Sequence, residues 1–215
     1  LRNSVDSGSA DIDNFVLVRS DRSTSRGDGI ASYVEESLRF SPIDLGIPPV
    51  GTLTDIVAVS LYLARGRVVI ICVYPSTFSA FLSDLRYIES CLFYAACITD
   101  AIVCLGNFNT NVLGQTDHNA KLLLDIASLF SLMQLIDNPT RLTSNLSTIL
   151  DLMFVLSSIN VFECVVSDAI SVSDHLTIYA MLAISRSRRP GRVSLSRNIH
   201  AIRPDDIECQ LGLID

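Results

Sequence analysis

The chain has 215 residues, 49% of them hydrophobic and 18% charged, with a formal net charge of −7. That length and apolar content describe a folded domain with a sizeable core and exclude a disordered chain. The acidic balance argues mildly against a protein that binds nucleic acid through overall charge, and no apolar run reaches the ~18 residues of a membrane helix.

Leu1-Arg2-Asn3-Ser4 carries no apolar leader, and a chain opening on leucine reads as part of a longer protein. Phe15–Arg19 predicts a short strand, Ser20–Gly29 a polar loop, and Ile30–Val34 the returning strand. The stretch from Ser41 to Gly51 holds Pro42, Pro48 and Pro49 and is expected to lack regular structure. Ile56–Leu63 and Val68–Tyr74 are rich in β-branched residues. They predict two buried antiparallel strands turning at Arg65-Gly66-Arg67.

The period then changes. Phe78, Phe81, Leu82, Leu85, Ile88, Leu92 and Phe93 recur at three and four, which predicts an amphipathic helix capped by Ser76 or Thr77, its stripe facing the core. Ala101–Leu105 predicts a buried strand, and Asn119–Leu135 a second helix ended by Asp137-Asn138-Pro139-Thr140-Arg141. Thr148–Leu156, Val161–Val166 and His175–Ile184 predict three more strands. After Ser185 the chain turns polar and basic, with Arg186, Arg188, Arg189, Arg192, Arg197 and Arg203, which reads as a domain boundary. That run is either a solvated linker or a phosphate-contacting segment. The whole pattern predicts an α+β or α/β sandwich with polar loops gathered at one strand edge.

The six cysteines form no C-x-x-C pair and mostly lie in apolar runs, which predicts free core thiols in a reducing, intracellular setting and no zinc site. His118 is expected as an exposed helix-start residue, and His200 receives no role.

Polar residues mark three predicted strand ends: Gly106-Asn107-Phe108-Asn109, Asp151 within Leu150–Met153, and Ser173-Asp174-His175. Together they make a plausible single polar site, of the kind phosphodiester cleavage requires. With Arg19-Ser20-Asp21-Arg22, Arg26-Gly27-Asp28-Gly29-Ile30, Cys72-Val73-Tyr74-Pro75 and Asn138-Pro139-Thr140-Arg141 they follow one order along the chain. In that order they resemble the endonuclease/exonuclease/phosphatase superfamily, and more narrowly the endonuclease domain of non-LTR (LINE-like) retrotransposon polyproteins. The matching family segments are R-S-D-R, R-G-G-G-V/I, V-Y-R-P, G-D-F-N, P-T-R and S-D-H.

The resemblance implies a DNase I-like sandwich of two mixed sheets lacking its first strands. The partial domain would span residues 1–184, with residues 185–215 a basic connector toward a reverse transcriptase in cis. It implies Mg²⁺-dependent nicking of target DNA to prime reverse transcription, in the nucleus. In its protonated form His175 would hold the scissile phosphate, with Asp151 as its carboxylate partner. Asp174 would sit in or near the metal shell, Tyr74 would donate to a phosphate oxygen, Asn109 would orient water or phosphate, and Arg141 would contact nucleic acid.

The null for Tyr74 is a packed strand-end aromatic, and for Asn109 a turn residue capping its loop. Position 107 departs from the family: Asn107 stands where an acid orients or deprotonates the attacking water. Glu35 and Glu36 do not match the family's metal-binding glutamate, and Pro75 replaces the arginine after Tyr74. These departures imply impaired cleavage. The alternative is an inactive remnant that acts, if at all, as a binding module.

Overall fold

The computed structural model describes residues 10–21, 29–46, 48–50, 52–63, 66–75, 81–115, 117–168 and 173–184. At its centre lie the strands with the densest β-branched runs, β4 (Asp55–Leu63) and β5 (Gly66–Tyr74), antiparallel in full register from Asp55 opposite Tyr74 to Leu63 opposite Gly66. β6 (Ile102–Asn107) joins β5 in parallel, which requires a crossover, and α1 (Phe81–Ile98) supplies it. β10 (Asp151–Leu156) pairs antiparallel with β6, and β7 (Leu132–Gln134) with β10. With β3 (Phe40–Ile43) on the far edge, the six-stranded order is β3-β4-β5-β6-β10-β7.

Three two-stranded ribbons complete the described structure. They are β1 (Phe15–Asp21) with β2 (Gly29–Glu35), β8 (Arg141–Leu142) with β9 (Ser147–Thr148), and β11 (Asn160–Ser167) with β12 (Thr177–Ala183). Ser32 Oγ donates to Cys72 Sγ at 3.3 Å, which lays the β1–β2 ribbon across one face of β5. Ile71 and Val73, fully buried, point the other way by strand alternation. They share one apolar cluster with Leu85, Ile88 and Leu92 of α1 and with Ala120, Leu123 and Ala127 of α2 (His118–Leu129). Cys164, Val166, Ile178 and Ala180 of the β11–β12 ribbon pack against the same cluster. The fold is α+β, a layered arrangement of mixed sheets with few helices.

Four sequence expectations need correction. Phe40–Ile43 is a strand despite Pro42, and it sits on the sheet edge, where a residue without an N–H is tolerated. The second helix ends well before Leu135. The Phe130 N–H bonds back to Ala127 O, Ser131 takes φ +56°, and Leu132–Gln134 reverses to pair with Phe154–Leu156. The apolar spacing of Leu132 and Leu135 continued the helical stripe, but a strand partner won over local pattern.

The strand expected over Thr148–Leu156 breaks at Ile149–Leu150. Its first part joins the small β8–β9 ribbon and its second enters the large sheet. The last strand starts at Thr177, not His175, which forms only an isolated bridge with Arg141. The helix caps proposed at Ser76 or Thr77, the Arg65 turn, the Arg26–Asp28 loop and everything after Ile184 lie outside the described residues.

His118 opens α2 and is exposed, while Asp117 caps that helix by accepting from the Asn119 N–H at 3.0 Å. Cys91 and Cys104 are buried; burial pushes the Cys91 thiol up to about 12 and raises Cys104 as well. No described helix is long and apolar enough to cross a membrane.

Candidate active site

The site grows out of one edge of the large sheet. There β5 ends at Tyr74, β6 ends at Asn107, and β10 begins at Asp151, which stands directly opposite Asn107 in the ladder. One step back, Gly106 pairs with both Val73 and Leu152. Its φ is +146°, and a Cβ there would lie 1.9 Å from the Val73 carbonyl oxygen. Only glycine lets β6 come this close to β5, which gives the glycine of Gly106-Asn107-Phe108-Asn109 a physical reason. The loop after it is laced to the lead-in of β10. Phe108 N–H donates to Leu150 O at 2.8 Å and Val112 N–H to Ile149 O at 3.2 Å. The rings of Phe108 and Phe154 meet edge to face, 5.4 Å between centroids.

Across this edge lies His175. Its Nδ1 is 2.7 Å from Asp151 Oδ2, with the two side chains 28% and 18% exposed. Asp151 is acceptor only when ionised, so Nδ1–H is the donor and Nε2 is the ring atom left to meet a ligand. The segment that carries His175 is fixed through the backbone. His175 N–H donates to Ser173 Oγ at 3.1 Å, Leu142 N–H to Asp174 O at 2.9 Å, and Leu176 N–H to Thr140 O at 2.7 Å. Ser173–Leu176 therefore runs antiparallel beside Thr140–Leu142, so the S-D-H and P-T-R segments are neighbours in space.

Asp174 points away from that pair toward Arg141, with Arg141 Nε 2.6 Å from Asp174 Oδ2 and both side chains 42% exposed. The hydrogen bond from Arg141, with its charge, holds the Asp174 carboxyl below the usual carboxylate range. The residue proposed for metal and the residue proposed for nucleic acid are given to each other.

The two asparagines spend their amides close to home. Asn107 Oδ1 accepts from the Asn109 N–H at 2.9 Å, a local Asx turn. Asn109, at φ +51°, donates its Nδ2 to the carbonyl of Pro75 at 2.8 Å. This ties the end of β6 to the residue after Tyr74. Tyr74 itself is half-buried, opposite Asp55, a buried acid at the same sheet edge to which the sequence reading gave no role.

The donor set does not fit a Mg²⁺ ion. Among the described residues no three of His, Cys, Asp and Glu converge as a cation cage. Asp151 Oδ2 is engaged by His175 and Asp174 Oδ2 by Arg141. An ion that prefers several carboxylate and water oxygens finds too few carboxylates gathered here.

Thr140 is the residue that sequence reasoning passed over. It is fully buried, and its Oγ1 accepts from the N–H groups of both Leu150 and Asp151, at 3.1 and 3.0 Å. A threonine after a proline reads as an ordinary turn residue, and the one available signal was its place between Pro139 and Arg141.

No family model matches this chain, and no curated protein matches it. Solved structures do. The endonuclease domain of TRAS1, a telomere-specific non-LTR retrotransposon, superposes with a TM-score of 0.63 at 16% identity, covering 81% of this chain and 83% of that one. A mannosyl-6-phosphatase from Bacteroides thetaiotaomicron gives a TM-score of 0.57 at 12% identity, over 80% and 78% of the two chains. TDP2 from D. rerio, in complex with a single-strand DNA product, gives 0.57 at 10% identity over the same shares. The fold is that of the endonuclease/exonuclease/phosphatase proteins, and at these identities the likeness speaks to fold alone.

Proposed function

We propose that this chain is the DNA endonuclease domain of a non-LTR retrotransposon protein, in a form that grips a DNA phosphodiester but cleaves it poorly. One observation carries the reading: the 2.7 Å pair of His175 and Asp151, held across the sheet edge from Asn107. The retrotransposon branch is supported by the order of the R-S-D-R, N-P-T-R and S-D-H segments and by the likeness to the TRAS1 domain. A DNA substrate is supported by the same likeness and by the TDP2 complex. A reverse transcriptase in cis and action in the nucleus belong to the same proposal.

His175 Nε2, protonated, would donate to a phosphate oxygen while Asp151 fixes the ring through Nδ1. Arg141 would add a second cation at the rim, oriented by Asp174. Hydrolysis forms a bond from water oxygen to phosphorus and breaks the bond to the leaving sugar oxygen. Water must give up a proton, and the leaving oxygen must gain one. Asn107 can hydrogen-bond a water, but an amide does not take its proton. A positioned base typically contributes about 10²–10⁴ in rate, so its absence leaves binding ahead of chemistry. Mg²⁺, expected from the resemblance, finds no three-donor set among the described residues, and these roles belong to the side chains alone.

The test pairs two assays on the protein and its His175→Ala variant: anisotropy of a labelled DNA duplex, and relaxation of supercoiled plasmid in Mg²⁺ buffer. The expected result is duplex binding that weakens on the order of tenfold or more without His175, the worth of a charged hydrogen bond, and no nicking above background. Strong nicking that vanishes in His175→Ala, or binding indifferent to His175, would overturn the proposal.

A further inference from the structure

We propose that Thr140 is the positioning residue of the His175–Asp151 pair, the single point through which both partners are placed. The proposal rests on the reading of that pair as the phosphate-holding site. Asp151 begins a strand and His175 precedes one, so neither is held by a full ladder on both sides. Something must fix the start of β10 against the segment before β12.

Thr140 makes four bonds that do so. Its Oγ1 accepts the N–H groups of Leu150 and Asp151, at 3.1 and 3.0 Å, which uses both lone pairs of the hydroxyl. Its own N–H donates to Thr148 O at 2.9 Å, and its carbonyl accepts from the Leu176 N–H at 2.7 Å. The first two bonds set the backbone of Asp151. The last sets the residue that follows His175. The third closes the turn between them.

The side chain is fully buried, so no water replaces those acceptors if they are removed. Threonine suits the place because its β-branch restricts χ1, and so aims Oγ1 at two adjacent N–H groups without a search. Serine offers the same oxygen with a freer rotamer. Valine keeps the shape and offers a methyl group to two buried donors, which would push the first residue of β10 away and carry the Asp151 carboxylate out of reach of His175. A shift of about 1 Å is enough to lose a well-aligned contact of this kind.

The test compares Thr140→Val and Thr140→Ser with the parent protein, in the absence of DNA. It reads the His175 ring Nδ1–H proton by NMR, together with the melting temperature. A dyad bond held at hydrogen-bonding distance protects that proton from exchange. The expected result is a folded Thr140→Val that loses the Nδ1–H resonance and a Thr140→Ser that keeps it. If Thr140→Val fails to fold, Thr140→Ser decides: retention of the resonance supports the hydroxyl's role, and its loss from a folded serine variant overturns it. A folded Thr140→Val that keeps the resonance also overturns it.

This readout needs no substrate. Absence of DNA binding in the parent protein would sink the proposed function and leave the Thr140 result standing. Where the parent does bind duplex, Thr140→Val should weaken it about as much as His175→Ala does.

Discussion

On one side of the candidate site His175 and Asp151 meet at 2.7 Å, with Thr140 holding the backbone beneath both. On the other side Asn107 and Asn109 give their amides to a neighbouring N–H and to the Pro75 carbonyl. The first side presents a ring nitrogen outward and spends its remaining bonds on keeping that nitrogen in place. The second side is equally well ordered but presents no group that accepts a proton. The difference separates two functions that one site usually combines: holding a phosphate and activating the water that attacks it. A fold can keep the first while a one-atom change, carboxylate to amide, removes most of the second, because Asp and Asn are nearly the same shape.

Four changes would break or sharpen this contrast. The largest effect on stability is expected at the seam between the two sides. Gly106→Ala puts a Cβ 1.9 Å from Val73 O on a residue at φ +146°. It should cost at least about 3 kcal/mol, the sum of backbone strain and overpacking, and chemical denaturation would show it. A neutral Gly106→Ala would mean that β5 and β6 are not this close, and the ordered asparagine side would lose its foundation.

Next comes Asp151→Asn, which keeps volume but removes the charge that orients His175. It should destabilise by about 1–3 kcal/mol and weaken duplex binding, while Asn109→Ala leaves His175-dependent binding in place. Equal loss of binding in both would erase the distinction between the sides.

The smallest effect is electrostatic. Asp174 is held below the ordinary carboxylate range by Arg141, so the pair's contribution is fully present above that range, near pH 4. It is lost as pH falls through the depressed value. The difference in melting temperature between the protein and Arg141→Gln should therefore shrink on going from pH 6 to pH 2, and shrink with added salt because the pair is exposed. A difference that persists at pH 2 would give Arg141 a role other than pairing with Asp174.

Much of this was legible in the sequence, and the failures share a cause. β4 and β5 announced themselves because runs such as Val68–Val73 are β-branched on both faces. The order of Asn107, Asp151 and His175 was readable because short polar residues interrupt apolar runs at strand ends. β7 was hidden because Leu132 and Leu135 extend the helical spacing of α2, and only pairing with Phe154–Leu156 makes a strand of them. β3 was hidden by Pro42, which is acceptable only because the strand is an edge. Thr140 was hidden because nothing local tells a buried hydroxyl from a turn threonine; its value lies in Leu150, Asp151 and Leu176, all at least ten residues away. The Arg141–Asp174 pair spans 33 positions and is likewise a product of the fold.

The most direct test of the central contrast restores the missing acid and measures binding and cleavage separately. Asn107→Asp and the parent protein would be compared for duplex affinity and for single-turnover nicking under the same conditions. Affinity should be unchanged within about threefold, since a surface-compatible isostere shifts free energy by no more than ~0.5 kcal/mol, while nicking rises by about 10²–10⁴. A parent protein that already nicks as fast as Asn107→Asp, with His175 required in both, would contradict the account.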